Sequence, residues 1–164
     1  MDLTQLIVEA LKFIFPAYCA NAVPVIVGGG LPIDLGKNFF DGKPIFGKNK
    51  TYRGFLFGLL VGTFVGSMES LLFGYHPLFG FLLSMGALFG DLAGAFLKRR
   101  LGLAPGELLP IVDQIDFVVG AIVFAVPISI LTVELAITAL IITPPIHLLT
   151  NFAACKLGLK NNPW

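Results

Sequence analysis

Three aspartates stand in apolar surroundings that give them no obvious reason to be there. Asp91 lies inside the hydrophobic run 78–97, and Asp113 and Asp116 open the run that follows. Charges embedded in apolar segments cost free energy and so usually mark function. The i, i+3 spacing of Asp113 and Asp116 puts both on one face of a helix start, where the positive end of the helix dipole favours anions. Simple capping accounts for one of them but not both, because adjacent carboxylates repel unless a cation lies between them. Oxygen-only donors suit Mg²⁺, which typically bridges a few carboxylates to substrate phosphates. Lys98, Arg99 and Arg100 end the run that carries Asp91. If its helix ends near Arg100, Asp91 lies about 13 Å before that end at ~1.5 Å per residue, with Lys98 about two turns away on nearly the same face. Gly90, Gly94 and Ala95 leave room for close approach of a helix or a ligand. A structural alternative stays open, in which Asp91 only pairs with Lys98 or with a neighbouring helix.

Cations supply the complement. Lys48, Lys50, Thr51 and Arg53 cluster beside Gly47 and Gly54 just before an apolar run. Such a set can clamp phosphates by charge-assisted hydrogen bonds. The same residues also read as topology signals and lipid-headgroup contacts. Lys37, Arg99 and Arg100 extend the phosphate-binding candidates. Asn21, a polar group within the first apolar run, reads equally well as an interhelical hydrogen bond or a site residue. The Gly28–30 run could cradle a phosphate, but no P-loop or dinucleotide pattern accompanies it. Zinc has no ligand set here: His76 and His147 are far apart in the chain and read as packing or surface residues.

The elements that must position these groups are membrane helices. The chain has 164 residues, 56% of them hydrophobic and 13% charged, and a mean hydropathy of +0.88. A soluble domain rarely looks like this. Apolar runs recur near the ~20 residues that a bilayer core requires, at 6–27, 54–73, 78–97, 115–131 and 135–154. The expected fold is a single membrane-embedded domain, an all-α bundle of five transmembrane helices with polar loops. The first span is interrupted by Glu9 and Lys12, which can neutralise one another, and by Pro16, Asn21 and Pro24. The long Gly-rich connection 28–53 is expected to be functional or disordered rather than a plain linker. Cys19 and Cys155 sit in apolar contexts and read as packing residues. Acidic Asp2 and the lack of a small-residue cleavage site argue against a cleaved leader. A net charge of +1 gives no support to nucleic-acid binding. No repeated block supports an inverted-repeat transporter.

The basic residues at 37–53, 98–100, 156 and 160 all fall on one side of this arrangement. The turns at 74–77 and 132–134 contain no Lys or Arg. The positive-inside rule then places the 28–53 and 98–114 loops and the C-terminus in the cytoplasm and the N-terminus outside, with Lys12 snorkelling outward as the exception.

Five strings carry a family resemblance: PAYCANAVPV, LPIDLGK, FGKNKTYRG, GDLAGAFLKRRLG and PIVDQIDFVVGA, in this order, across roughly residues 16 to 121. Together the chain resembles the archaeal CDP-archaeol synthases, cytidylyltransferases distantly related to the CDP-diacylglycerol synthases. The resemblance implies a small helical membrane bundle with its active site facing the cytoplasm. It implies CTP, a phosphorylated isoprenoid glycerol ether, 2,3-bis-O-(geranylgeranyl)glycerol 1-phosphate, and Mg²⁺. Asp91, Asp113 and Asp116 would hold the metal, with Lys98, Lys50 and Arg53 neutralising phosphates. Members commonly carry Ser where this chain has Ala95. Gln114 and Phe117 stand where the diacylglycerol branch has Arg and Ser, as in the archaeal branch. Two other functions compete with this one. A membrane CDP-alcohol phosphotransferase also clusters aspartates, but its longer four-aspartate signature is missing. An ion or proton carrier titrating Asp91 would leave the cation clusters and the Asp113/Asp116 pair without purpose.

Overall fold

The computed structural model describes residues 2–128, 131–160 and 162. Among them are five α-helices and no strand: α1 (Leu3–Val27), α2 (Tyr52–Phe73), α3 (Phe79–Arg100), α4 (Val112–Ala125) and α5 (Val133–Lys156). By length and composition α1, α2, α3 and α5 can each cross a membrane. The fourth element is shorter than its apolar run suggested. Its 14 residues span about 21 Å, less than a bilayer core of ~30 Å. A 3₁₀ turn, Val126–Ile128, continues it. Pro127 falls in that turn and cannot donate the amide hydrogen bond that would prolong an α-helix. Residues 129 and 130 of the expected fourth span lie outside the described residues.

α3 is the centre of the bundle. It packs on α1, α2 and α4, whereas α5 lies against α1 and α4. Phe13, Ile14 and Ala17 of α1, Phe79 and Leu83 of α3, and Phe117 and Val118 of α4 form the buried core. The outward faces stay apolar: Leu56, Leu60, Phe64 and Leu71 of α2 and Ile137 and Ile141 of α5 are exposed. Apolar surface on this scale has lipid as its natural solvent. The helices approach closely through small residues, as membrane helices do when packing must replace a hydrophobic driving force. A Cβ placed on Gly90 would lie 2.2 Å from the backbone oxygen of Asp116, and one on Gly66 would lie 2.2 Å from Gly80 Cα. Tyr18 and Thr143 add a polar link between α1 and α5, with their hydroxyls 2.9 Å apart.

The connection from α1 to α2 is folded rather than disordered. Its organising group is the buried carboxylate of Asp34, which accepts the amides of Gly36 at 3.0 Å, Phe46 at 3.0 Å and Gly47 at 2.7 Å. Burial acts to raise this carboxyl's pKa, but the amide bonds together outweigh it and hold the group below the usual aspartate range. Antiparallel bridges join Pro32 to Thr51 and Asn38 to Pro44. Arg100 pins the loop to α3. Its guanidinium holds Asp41 at 2.7 Å, donates to the Lys43 and Pro44 carbonyls, and lies against the rings of Phe39 and Phe96.

Candidate active site

The three aspartates lie in one neighbourhood where α3 and α4 pack together. Gly94 makes this possible, because a Cβ there would lie 1.9 Å from Asp116 Oδ2. The Asp116 carboxyl therefore lies against bare α3 backbone. Its other oxygen accepts the Phe117 amide at 2.6 Å. Asp91, Lys50 and Asp113 are the charged groups that act on it.

Asp91 and Asp113 each hold a lysine. Lys50, brought in by the α1–α2 loop, donates to both oxygens of Asp91 at 2.7 and 2.6 Å. Lys98 donates to Asp113 Oδ2 at 2.7 Å, and the same oxygen accepts the Leu109 amide at 2.9 Å. Asp91 thus pairs across the bundle to the loop, and Lys98 serves the aspartate of the next helix. Asp113 binds an amide that precedes its helix, so it orders the loop entering α4 as well as pairing with Lys98.

The other candidates divide into groups. Lys37, Lys48 and Arg53 are exposed on the loop side. Gly30 lies beside Arg53, 3.5 Å from its Cβ to a Cβ built there. Thr51 is buried and caps α2, its hydroxyl oxygen accepting the Gly54 amide at 3.1 Å. Arg99 is buried and donates to the carbonyls of Leu103 at 2.6 Å and Ala104 at 3.3 Å. Arg99 and Arg100 are thus engaged in holding loops. Asn21 is half-buried in α1, and no hydrogen bond links it to the aspartates among the described residues.

Residues of α5 and the segment behind it, which the chain pattern did not place with the aspartates, lie nearby. His147 and Asn151 on α5 lie one turn apart, with Asn151 Nδ2 3.2 Å from His147 Nε2. Lys160, in the segment after α5, donates to Asn151 Oδ1 at 2.9 Å. Lys50, Asp113, Lys98 and Asp91 all act electrostatically on Lys160. Burial first, then the nearby Lys50, lowers its pKa, while Asp113 pulls the other way. His147 packs at 5.8 Å against the Phe117 ring, so it is a neighbour of the site rather than a surface residue. The i, i+4 pair His147/Asn151 was the available signal, but a polar pair inside a span does not reveal which helix face meets the aspartates.

A cleft of about 40 Å³ runs beside the Lys50–Asp91 pair, with Pro24, Gly54, Phe55, Leu88 and Leu92 among its walls. Its lining combines the charged Lys50 and Asp91 with apolar side chains. The donor chemistry suits a hard cation, because every acidic group here offers oxygen alone. As the side chains stand, no three His, Cys, Asp or Glu among the described residues form a ready metal cage. Lysine ammoniums occupy the carboxylates of Asp91 and Asp113 instead.

Known proteins align with this arrangement over nearly the whole chain. The family model for CarS-like CDP-archaeol synthase matches residues 3–164. The CDP-archaeol synthase of Methanococcus aeolicus is 44% identical over 178 residues, covering 100% of both chains. That of Pyrococcus furiosus is 46% identical over 164 residues, covering 96% of this chain and 98% of its own. A solved structure of an intramembrane enzyme for archaeal membrane lipid biosynthesis superposes with a TM-score of 0.82 at 37% identity, covering 88% of this chain and 94% of that one. With its apolar helices, this likeness makes the chain a multi-pass membrane protein.

Proposed function

The chain belongs to the CDP-archaeol synthase family, and on that premise we propose that its aspartate and lysine cluster transfers a cytidylyl group from CTP to 2,3-bis-O-(geranylgeranyl)glycerol 1-phosphate. CDP-archaeol and pyrophosphate are the products. A phosphate oxygen of the lipid forms the new bond to the α-phosphorus of CTP, and the bond from that phosphorus to the β-phosphate bridging oxygen breaks. The nucleophile is already an anion, so positioning and charge neutralisation do most of the work.

The observation that carries this reading is the pairing of Lys50 with Asp91 and Lys98 with Asp113 around Asp116. It brings both charges that the reaction needs to one place. Asp91, Asp113 and Asp116 would hold Mg²⁺, which when bound offsets negative charge on the triphosphate and on the departing pyrophosphate. Lys50 and Lys98, released from their aspartates, neutralise substrate phosphates. Lys37, Lys48 and Arg53 draw the nucleotide to the site from the aqueous side. The apolar walls of Phe55, Leu88 and Leu92 face the lipid beyond its head, so phosphate and glycerol are read strongly and the tails weakly. Tail discrimination by apolar contact is limited to about 1–3 kcal/mol per methylene. The basic loops support a site on the cytoplasmic face, with the N-terminus outside and the C-terminus inside.

Neither an alcohol phosphotransferase nor an Asp91 carrier is favoured by the relatives. Purified protein with labelled CTP, Mg²⁺ and the lipid phosphate should yield a CDP-lipid by thin-layer analysis. No product, or transport of ions in liposomes without CTP, overturns the reading. A single cysteine near residue 45 that reacts only from outside reverses the orientation.

A further inference from the structure

We infer that the turn at 39–42 in the α1–α2 loop is a membrane-interface anchor, with Phe40 set among the lipid headgroups beside the last turn of α3. The inference needs only that α3 crosses a bilayer. It is independent of the reaction and of which face is cytoplasmic.

The turn is tight and locally determined. Asn38 bridges to Pro44. The Phe39 amide donates to the Lys43 carbonyl at 2.8 Å, and the Gly42 amide donates to the Phe39 carbonyl at 2.9 Å. That last bond makes Phe40 and Asp41 the central residues of a β-turn. Pro, Asn, Asp and Gly earn such positions through their backbone preferences, and a phenylalanine brings none of these. Phe40 is also 99% exposed. Its ring meets that of Phe39 edge-to-face at 5.0 Å, so the protein fixes the side chain without burying it.

The position of the turn identifies what covers Phe40. Phe39 stands edge-to-face on Phe96 of α3 at 5.2 Å. The Arg100 guanidinium lies against both rings, 4.9 and 4.7 Å from their centres. Phe96 and Arg100 are one helical turn apart, and Phe89, Ala93 and Leu97 continue the same side of α3 toward its middle. Those three residues are exposed, so this is the face that α3 turns to lipid. The helix is long and apolar enough to cross a membrane, and Arg100 is its last residue. The turn therefore hangs over the lipid-facing stripe at the level where hydrocarbon gives way to headgroups. Aromatic rings are favoured at that depth.

The charges agree with this placement. Asp41, the acid of the turn, is held by Arg100 at 2.7 Å, so its charge is met within the protein before it faces lipid phosphates. Lys37, exposed at the foot of the turn, suits those phosphates. Fixing the turn also fixes one end of the loop that delivers Lys50 to Asp91.

Phe40→Trp, combined with Trp164→Phe so that the chain's one tryptophan sits in the turn, reports its depth in phospholipid nanodiscs. Bromines on the lipid chains quench a nearby indole, and their position along the chain sets the depth they read. Bromines near the glycerol end should remove about half of the Phe40→Trp emission, as for a ring at headgroup level, and bromines near the bilayer centre should remove less. Phe89→Trp, deeper on the same stripe, should show the reverse order. A spin label at Phe40→Cys, with Cys19→Ala and Cys155→Ala, gives a second reading. It should collide with a water-soluble nickel chelate several-fold less often than the same label at Lys48→Cys, an exposed position of the same loop outside the turn. An indole at 40 that neither bromine position quenches, or a label at 40 as open to the chelate as one at 48, overturns the inference and puts the turn in the aqueous phase.

Discussion

Lys50 closes on both carboxylate oxygens of Asp91, at 2.7 and 2.6 Å, across 41 positions of the chain. The contact joins the folded α1–α2 loop to the central helix, and under the proposed mechanism the two charges separate when substrate and metal bind. Both side chains are less than a third exposed, so the pair is more than a screened surface contact. Hydrogen bonds to charged groups contribute roughly 1.5–3 kcal/mol each. Removing a charge that a transition state uses costs about 10²–10³ in kcat. Lys50→Met and Asp91→Asn are each expected to lower CDP-lipid formation at least a hundredfold while the purified protein stays folded. Turnover by Lys50→Met within a few-fold of wild type would show the pair to be a loop anchor only.

Asp34 predicts a pH dependence of loop order. Its carboxyl sits below the usual aspartate range in the folded protein because three amides bind the anion. A depressed folded pKa contributes stability that is complete above the unfolded value of about 3.9 and is lost as pH falls through the lower folded value. Amide exchange of residues 33–50 should therefore stay slow and flat from neutral pH to about pH 5, once corrected for intrinsic rates, and quicken only in stronger acid. Asp34→Ala should expose the same segment already at neutral pH. A loss of protection beginning near pH 6 would mean that some other group orders the loop.

The sequence made some of this legible and hid the rest, for physical reasons. Apolar length suffices to locate the helices, and the three aspartates mark the α3–α4 junction as the candidate site, because both are local properties. Length alone overstated α4, since Pro127 stops the α-helix inside its apolar run. Partner choice was not legible. Lys98 is close to Asp91 along one helix, yet it binds Asp113, and the partner of Asp91 comes from a loop 41 positions away. The role of Asp34 was not legible either, because its ligands are backbone amides, which leave no mark in side-chain composition. His147 was hidden for a related reason: only the packing of α5 on α4 brings it against Phe117.

Gly94 offers a test of how tightly the site is built. An added methyl there meets the Asp116 carboxylate at 1.9 Å, and a side chain can move where a backbone cannot. Gly94→Ala should leave the protein folded and displace Asp116, lowering turnover and weakening the response to Mg²⁺. Gly90→Ala meets backbone instead, 2.2 Å from the Asp116 oxygen, and should separate α3 from α4 at about 1–3 kcal/mol of stability. Thermal unfolding in detergent and turnover, measured on both variants, check the contrast. Equal thermal midpoints for the two would contradict it.

Glu69 predicts the opposite kind of result. It is buried in α2, and its Oε2 has no hydrogen-bond partner among the described residues. An unpaired buried carboxylate is costly. Glu69→Gln removes the charge and keeps the shape, so turnover should be unchanged and the thermal midpoint equal or higher. A clear loss of activity would reveal a role for the α2 carboxyl that its distance from the aspartate cluster in the chain does not suggest.

Asp113 and Asp116 should fail in different ways. Asp113 orders the entry to α4 through the Leu109 amide and also holds Lys98. Asp116 rests on Gly94 and, among the described residues, takes its neighbour's amide through Oδ1. Asn keeps much of each shape but removes the charge that a hard cation needs. Both Asp→Asn variants should therefore lose nearly all CDP-lipid formation. Asp113→Asn should lower the thermal midpoint as well, because Lys98 is left part-buried without its partner. Asp116→Asn should keep or raise the midpoint without Mg²⁺, since a carboxylate near Asp91 and Asp113 is relieved of repulsion. In the wild type, Mg²⁺ should raise the midpoint by mass action, and that rise should vanish in both variants. A Mg²⁺ titration followed by unfolding and by turnover reads both effects. If the two variants retain wild-type rates and the wild-type Mg²⁺ response, the pair orders a helix entry and holds no metal.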